Sequence, residues 1–128
     1  MVSMISEGVK VSVETFYQQD YSNPLQSEFM FAYRITIENH NGFPVKLHSR
    51  HWHIFDAAGT GQEVEGEGVV GQQPVLKPGE LYEYESACNL NSEIGSMHGT
   101  YLFVREADGG SFEVQIPRFE LITTYRKN

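Results

Sequence analysis

Apolar residues recur at every second position through most of this chain, the period of strands half-buried in a sheet. The clearest case is 29–39, where Phe29, Phe31, Tyr33, Ile35 and Ile37 alternate with Met30, Ala32, Arg34, Thr36 and Glu38. Its odd positions are expected in the core. Val9, Val11 and Val13 set a first strand over 9–17, and 18–27, which contains Asn23-Pro24, reads as a loop with room for one short helical turn. Asn39-His40-Asn41-Gly42 carries a hairpin-type turn signal into a strand over 45–55. Within that strand the phase slips: Val45 and Leu47 are odd, Trp52 and Ile54 even, which predicts a bulge or a change of sheet near Ser49-Arg50.

A glycine-bearing turn over 56–61 leads to a short strand over 62–67. After a glycine-proline segment, 81–87 alternates again, with Tyr82 and Tyr84 on one face. The stretch 89–96 reads as irregular. Segments 100–105 and 111–116 form a hairpin across Ala107-Asp108-Gly109-Gly110, and 118–123 continues the last strand after a kink at Pro117. Helical spacing is nowhere sustained. Seven or eight short strands, with turn signals about every 8–12 residues, predict an all-β sandwich of two packed antiparallel sheets.

A length of 128 residues with 40% hydrophobic and 12% aromatic content suits one domain spanning 1–128. The formal net charge of −8 speaks against nucleic acid, because binding a phosphate backbone needs a basic surface. Acid is concentrated in the middle of the chain: over 52–93 stand Asp56, Glu63, Glu65, Glu67, Glu80, Glu83, Glu85 and Glu93 against Lys77 as the one Lys or Arg. No apolar run approaches the roughly 18 residues of a membrane span, and the first residues lack the pattern of a secretory leader, so a cytoplasmic protein is expected. Cys88 stands alone, which excludes an intrachain disulfide and four-cysteine zinc.

Four features could carry chemistry. Gly66-Glu67-Gly68-Val69-Val70-Gly71 matches the G-x-G-x-x-G of dinucleotide sites, but Gln72-Gln73-Pro74 and Lys77-Pro78-Gly79 follow where that motif needs a helix. Gly66, Gly68 and Gly71 therefore read as positions of positive φ or close strand approach, with an anion nest of backbone N–H groups as the alternative. His51 and His53, two apart on a strand, share a face about 7 Å apart and could converge on one metal, with His48, His98 or an acidic residue as third ligand. Glu63, Glu65 and Glu67 alternate on one strand and could attract Mg²⁺ or Co²⁺, although charges on an edge strand also guard against aggregation. Trp52 is expected as a core anchor, and Arg50 either pairs with Asp56 or tips a recognition surface. Cys88 has no neighbouring base, no G-x-S-x-G elbow exists and the histidines have no identifiable serine partner, so no catalytic residues are assigned and no enzyme is expected.

Several blocks then carry a family signal: 49–56 (Ser-Arg-His-Trp-His-Ile-Phe-Asp), 64–74 around the glycine motif, Leu76-Lys77-Pro78-Gly79, Tyr84-Glu85-Ser86, 95–101 (Gly-Ser-Met-His-Gly-Thr-Tyr) and Ile116-Pro117-Arg118-Phe119. In their order and spacing the chain resembles the ApaG family over nearly its full length. The resemblance implies an immunoglobulin-like sandwich of fibronectin type III kind, a small bacterial cytoplasmic protein, and an association with cobalt resistance and magnesium efflux. It implies no known reaction and no cofactor. Similar domains occur in an F-box substrate adaptor and in a DNA-polymerase-interacting protein, which implies a protein or peptide partner. Two departures stand out: Asn91-Ser92-Glu93 replaces a frequent Thr-Pro, and His53 occupies a commonly apolar position. The leading expectation is a non-enzymatic interaction module, monomeric or weakly dimeric. The second is a sensor of a divalent cation, or of Mg-pyrophosphate or a nucleotide, at the 66–71 glycine loop with Mg²⁺ bridging the ligand to Glu65 or Glu67, and the last is a nucleotide hydrolase.

Overall fold

The computed structural model describes residues 1–126. Among them lie nine strands in two antiparallel sheets: β1 (Val2–Ser6), β2 (Val9–Tyr17), β3 (Phe29–Asn39), β4 (Val45–Asp56), β5 (Thr60–Glu67), β6 (Val75–Leu76), β7 (Leu81–Leu90), β8 (Ile94–Arg105) and β9 (Ser111–Ile122). One sheet has the order β1-β2-β3-β7. The other runs β5-β4-β8-β9, with β6 pairing the start of β4 beyond the end of β5. Their inner faces form one core, in which Val11, Phe31 and Ile35 of the first sheet meet Leu47, Tyr101 and Phe103 of the second. No helix among the described residues is long and apolar enough to cross a membrane.

The alternation predicted for 29–39 holds at every position of β3, with the odd residues buried. The phase slip in β4 is a bulge: Leu47 pairs Phe103 and Ser49 pairs Leu102, so His48 is the extra residue. It lies one position before the expected place. Upstream, Val45 and Leu47 face the core; downstream, Trp52 does, against Tyr33, Tyr101 and Phe119. The expected kink at Pro117 is likewise a bulge inside one continuous strand, since Met97 pairs Phe119 while Gly99 pairs Ile116. Proline lacks the N–H that a ladder would require there.

Three expectations are corrected. A strand precedes 9–17, because Glu7 and Gly8 at φ 50° and 75° close a two-residue hairpin between Ser6 and Val9. Residues 39–42 do not make a hairpin; they carry the chain between sheets, where Asn39 donates through Nδ2 to Phe43 and Leu76 carbonyls at 2.9 and 3.0 Å. The stretch 89–96 is largely strand. Its alternation is obscured by Gly95, and a Cβ at Gly95 or Gly99 would meet the Phe55 or His51 carbonyl at 2.4 or 2.0 Å.

Asp56, buried at the end of β4, accepts from Ala58 N–H at 3.0 Å, Asn91 N–H at 2.6 Å and the Ser92 hydroxyl. Burial alone would raise its carboxyl pKa; these hydrogen bonds outweigh burial and the net direction is down. A depressed folded-state pKa gives stability that is present above the unfolded value of about 3.9 and lost as pH falls through the folded one. Asp56→Asn is therefore expected to cost about 1–3 kcal/mol at neutral pH in urea unfolding. The gap to the unsubstituted protein should narrow below about pH 4. A gap independent of pH would show that the carboxylate charge contributes nothing.

Candidate functional site

The bulge sorts the middle of β4 into two faces. Arg50, Trp52 and Ile54 turn inward, whereas Ser49, His51 and His53 lie on the outer face of their sheet, beside Glu67, Glu65 and Glu63 of β5 in register. Sheet pairing thus merges two features that the sequence presented apart, the histidine pair and the acidic stripe. His51 Nε2 lies 2.9 Å from Glu63 Oε2 and 3.4 Å from Glu65 Oε1, and His53 Nδ1 lies 4.0 Å from Glu63 Oε1. One donor atom from each of His51, His53 and Glu63 falls within 4.8 Å of the others. The hydrogen bond with His51, then the electrostatic interaction with His53, hold the Glu63 carboxyl below its usual pKa, so it is ionised at neutral pH.

Of the other ligands considered, Glu65 touches His51 and borders the same shallow surface depression as His51. His98, opposite His53 on β8, stacks on its ring at 4.9 Å between centroids. Glu67 sits two pairs beyond Glu65, opposite Ser49, and His48 is the bulged residue; neither joins the cluster.

The glycine motif spans the end of β5 and the loop to β6. Gly68 N–H donates to the His48 carbonyl at 2.8 Å, and Val69 and Gln72 exchange N–H to carbonyl bonds at 2.8 and 2.9 Å. Gln73 Nε2 also donates to the His48 carbonyl, at 2.9 Å. Three loop N–H groups are therefore committed to protein carbonyls, and Val70 and Gly71 remain at the exposed tip. The groups that converge are carbonyls. Arg50 Nη1 donates to the Glu67 and Gly68 carbonyls at 3.0 and 2.8 Å, crossing over Gly66, whose absent Cβ would lie 2.8 Å from the guanidinium. In its own structure the loop holds a cation, the reverse of a phosphate cradle. Arg50 does not pair with Asp56, which is satisfied by the turn at the far end of β4.

Trp52 is the core anchor the sequence suggested, 3% exposed. Burial, and then the charge of Asp56, push the Cys88 thiol up to about 11, so it is protonated at neutral pH. Glu63 is the member of the candidate cluster that the sequence underweighted. Its position beside both histidines follows from strand register, which no local signal carries.

The glycines yield a graded expectation. Gly68 at φ 63° would place a Cβ 2.2 Å from the Gln72 carbonyl, whereas Gly71 at φ 78° has open space around it. Gly71→Ala should cost about 1 kcal/mol for the left-handed backbone alone. Gly68→Ala should cost about 3 kcal/mol or prevent folding, since the loop backbone must also shift. Equal small losses in thermal midpoint would contradict this account of the loop.

Comparison with known proteins agrees with these features. A family model of the ApaG domain matches residues 19–105. Protein ApaG of Brucella canis is 46% identical over 121 residues, covering 94% of this chain and 92% of that protein, and Protein ApaG of Rhizobium meliloti is 44% identical over 122 residues. A crystal structure assigned as an ApaA protein from Bordetella pertussis superposes with a TM-score of 0.87 at 46% identity, covering 91% of this chain and 94% of the other. Sequence blocks, sandwich and full-length identity lead to one conclusion: the chain belongs to the ApaG family.

Proposed function

We propose that this protein is a non-enzymatic binding module that takes up a divalent transition-metal ion on the outer face of the five-stranded sheet. The observation that carries the reading is the mutual approach of His51, His53 and Glu63, with Glu65 beside them. A tetrahedral centre with bonds of about 2.1 Å sets its ligand atoms roughly 3.4 Å apart. Closing from 4.8 Å is within reach of side chains that are exposed or half-exposed. Two imidazoles and a carboxylate favour Zn²⁺, Co²⁺, Ni²⁺ or Cu²⁺; Mg²⁺ prefers oxygen and water. The surrounding acid attracts cations to the face, and the divalent-cation association implied by the family resemblance is of the same kind. A protonated Cys88 and the carbonyl-lined glycine loop lend no support to hydrolysis or to pyrophosphate binding.

A second reading, a protein or peptide partner, is favoured by β7. It is the outermost strand of its sheet, so one row of its backbone groups is open to strand addition.

Calorimetric titration with Zn²⁺ or Co²⁺ tests the first reading. One ion should bind per chain, at least about tenfold more weakly after His51→Ala or His53→Ala, and Glu63→Gln should also weaken it. Millimolar Mg²⁺ should not compete. Protons compete with the metal for its ligand atoms, so affinity should fall as pH is lowered. The unloaded variants should keep their thermal midpoints, because the substituted side chains face outward. Undiminished binding by both histidine variants would overturn the assignment.

A further inference from the structure

The two long sides of the sandwich are closed differently. On one side β1 lies against β9, and Gln115 N–H donates to the Ser6 hydroxyl at 2.8 Å. On the other, the outermost strands β5 and β7 leave a cleft of about 380 Å³ between the sheets. That volume lies within the range of about 300–1,000 Å³ typical of small-molecule sites. Trp52, Ile54, Val64 and Met97 supply an apolar wall, and Gln62 and Asn89 stand at its rim on the facing strands.

Charge sets this cleft apart from the rest of the molecule. The chain carries 17 Asp and Glu against 9 Lys and Arg, yet no carboxylate lines the cleft, and Arg50 is the charged residue that does. Burial keeps the Cys88 thiol and the Tyr33 phenol there protonated. Arg34, Arg105 and Arg118 each lie within 4.0 Å of a carboxylate, and Arg50, among the described residues, does not. Its hydrogen bonds are those of Nη1 to the two loop carbonyls. They fix the guanidinium and leave its Nε and Nη2 edge, a fork that fits a carboxylate in bidentate fashion.

We infer that the cleft between β5 and β7 binds a small organic carboxylate, with the acid on Arg50 and its apolar body against the Trp52 wall. A monoanion matches the single positive charge, whereas a phosphate dianion would leave one charge uncompensated in a partly desolvated site. The cleft opens between the sheets and the histidine cluster lies on the outer face, so the two sites share no proposed ligand residue, although Arg50 also borders the depression beside His51 and Glu65.

Trp52 is the one tryptophan of the chain and lines the cleft, so its fluorescence reports occupancy. Phenylacetate is the probe, with 2-phenylethanol as its uncharged counterpart and phenyl phosphate as the dianion. Phenylacetate should give a saturable change in emission, at least about tenfold tighter than the alcohol, and Arg50→Gln should weaken it by a similar factor. Phenyl phosphate should bind more weakly than phenylacetate. Because Arg50 also ties down the glycine loop, Gln62→Glu provides a second variant at an exposed rim position, on the same face of β5 as Val64. The added carboxylate should reduce phenylacetate affinity about threefold or more by repulsion, with the thermal midpoint unchanged. Lack of saturation, equal affinity for acid and alcohol, tighter binding of phenyl phosphate, or a Gln62→Glu variant that binds as the parent does would each overturn the assignment.

Discussion

A single extra residue, His48, governs what the middle of this molecule can do. Side chains alternate strictly along a strand, so a strand without the bulge would present either Leu47 or Trp52 to the core, but not both. Burying a side chain such as Val45 or Leu47 is worth about 1.5–3 kcal/mol, and Trp52 packs against three aromatic rings beyond it. With the bulge, both segments of β4 keep their apolar residues inside. The same shift turns Arg50 inward and brings His51 and His53 out beside Glu65 and Glu63. Core packing and the candidate chemistry thus follow from one irregularity in the ladder.

The glycine loop is the other half of that device. A bulge leaves a carbonyl outside the ladder, and the His48 carbonyl is taken up by Gly68 N–H and the Gln73 amide. Here β5 gives way to β6 along the edge of β4, and the loop between them must turn within a few residues. Positive φ at Gly68, Val70 and Gly71 makes the turn, and Arg50 neutralises the two carbonyls that point back across Gly66. A motif that elsewhere presents N–H groups to phosphate presents carbonyls to a guanidinium here, because a strand and a proline-bounded loop surround it where a helix would be needed.

What was legible in the sequence was whatever local periodicity records. β3, the phase slip in β4 and the burial of Trp52 each follow from alternation within a few residues. β1 was invisible because its side chains are mostly exposed on both faces, leaving no apolar rhythm to detect. The start of β8 was hidden for the opposite reason: Gly95 and Gly99 leave two inner-face positions without a side chain, and Met97 alone between them sets no apolar rhythm. Residues 39–42 carry hairpin residues but serve a crossing between sheets, since turn chemistry fixes local dihedrals and not the destination of the next strand. His51 and His53 could be placed together from their spacing, and Glu63 could not, because its neighbour is set by antiparallel register across the turn at 57–59. Arg50 was visible as a charge beside Trp52, but its partners are carbonyls, which sequence does not display.

The central claim is that the bulge sets His51, His53 and Glu63 outward as one cation site. Anomalous diffraction from crystals grown with Co²⁺, recorded at the cobalt edge, tests it most directly. The account predicts one strong peak per chain at bonding distance, about 2.1 Å, from ring nitrogens of both His51 and His53, with a Glu63 oxygen completing the set. A peak held by other side chains, or no ordered cobalt at that face in a crystal that leaves it open to solvent, would contradict it.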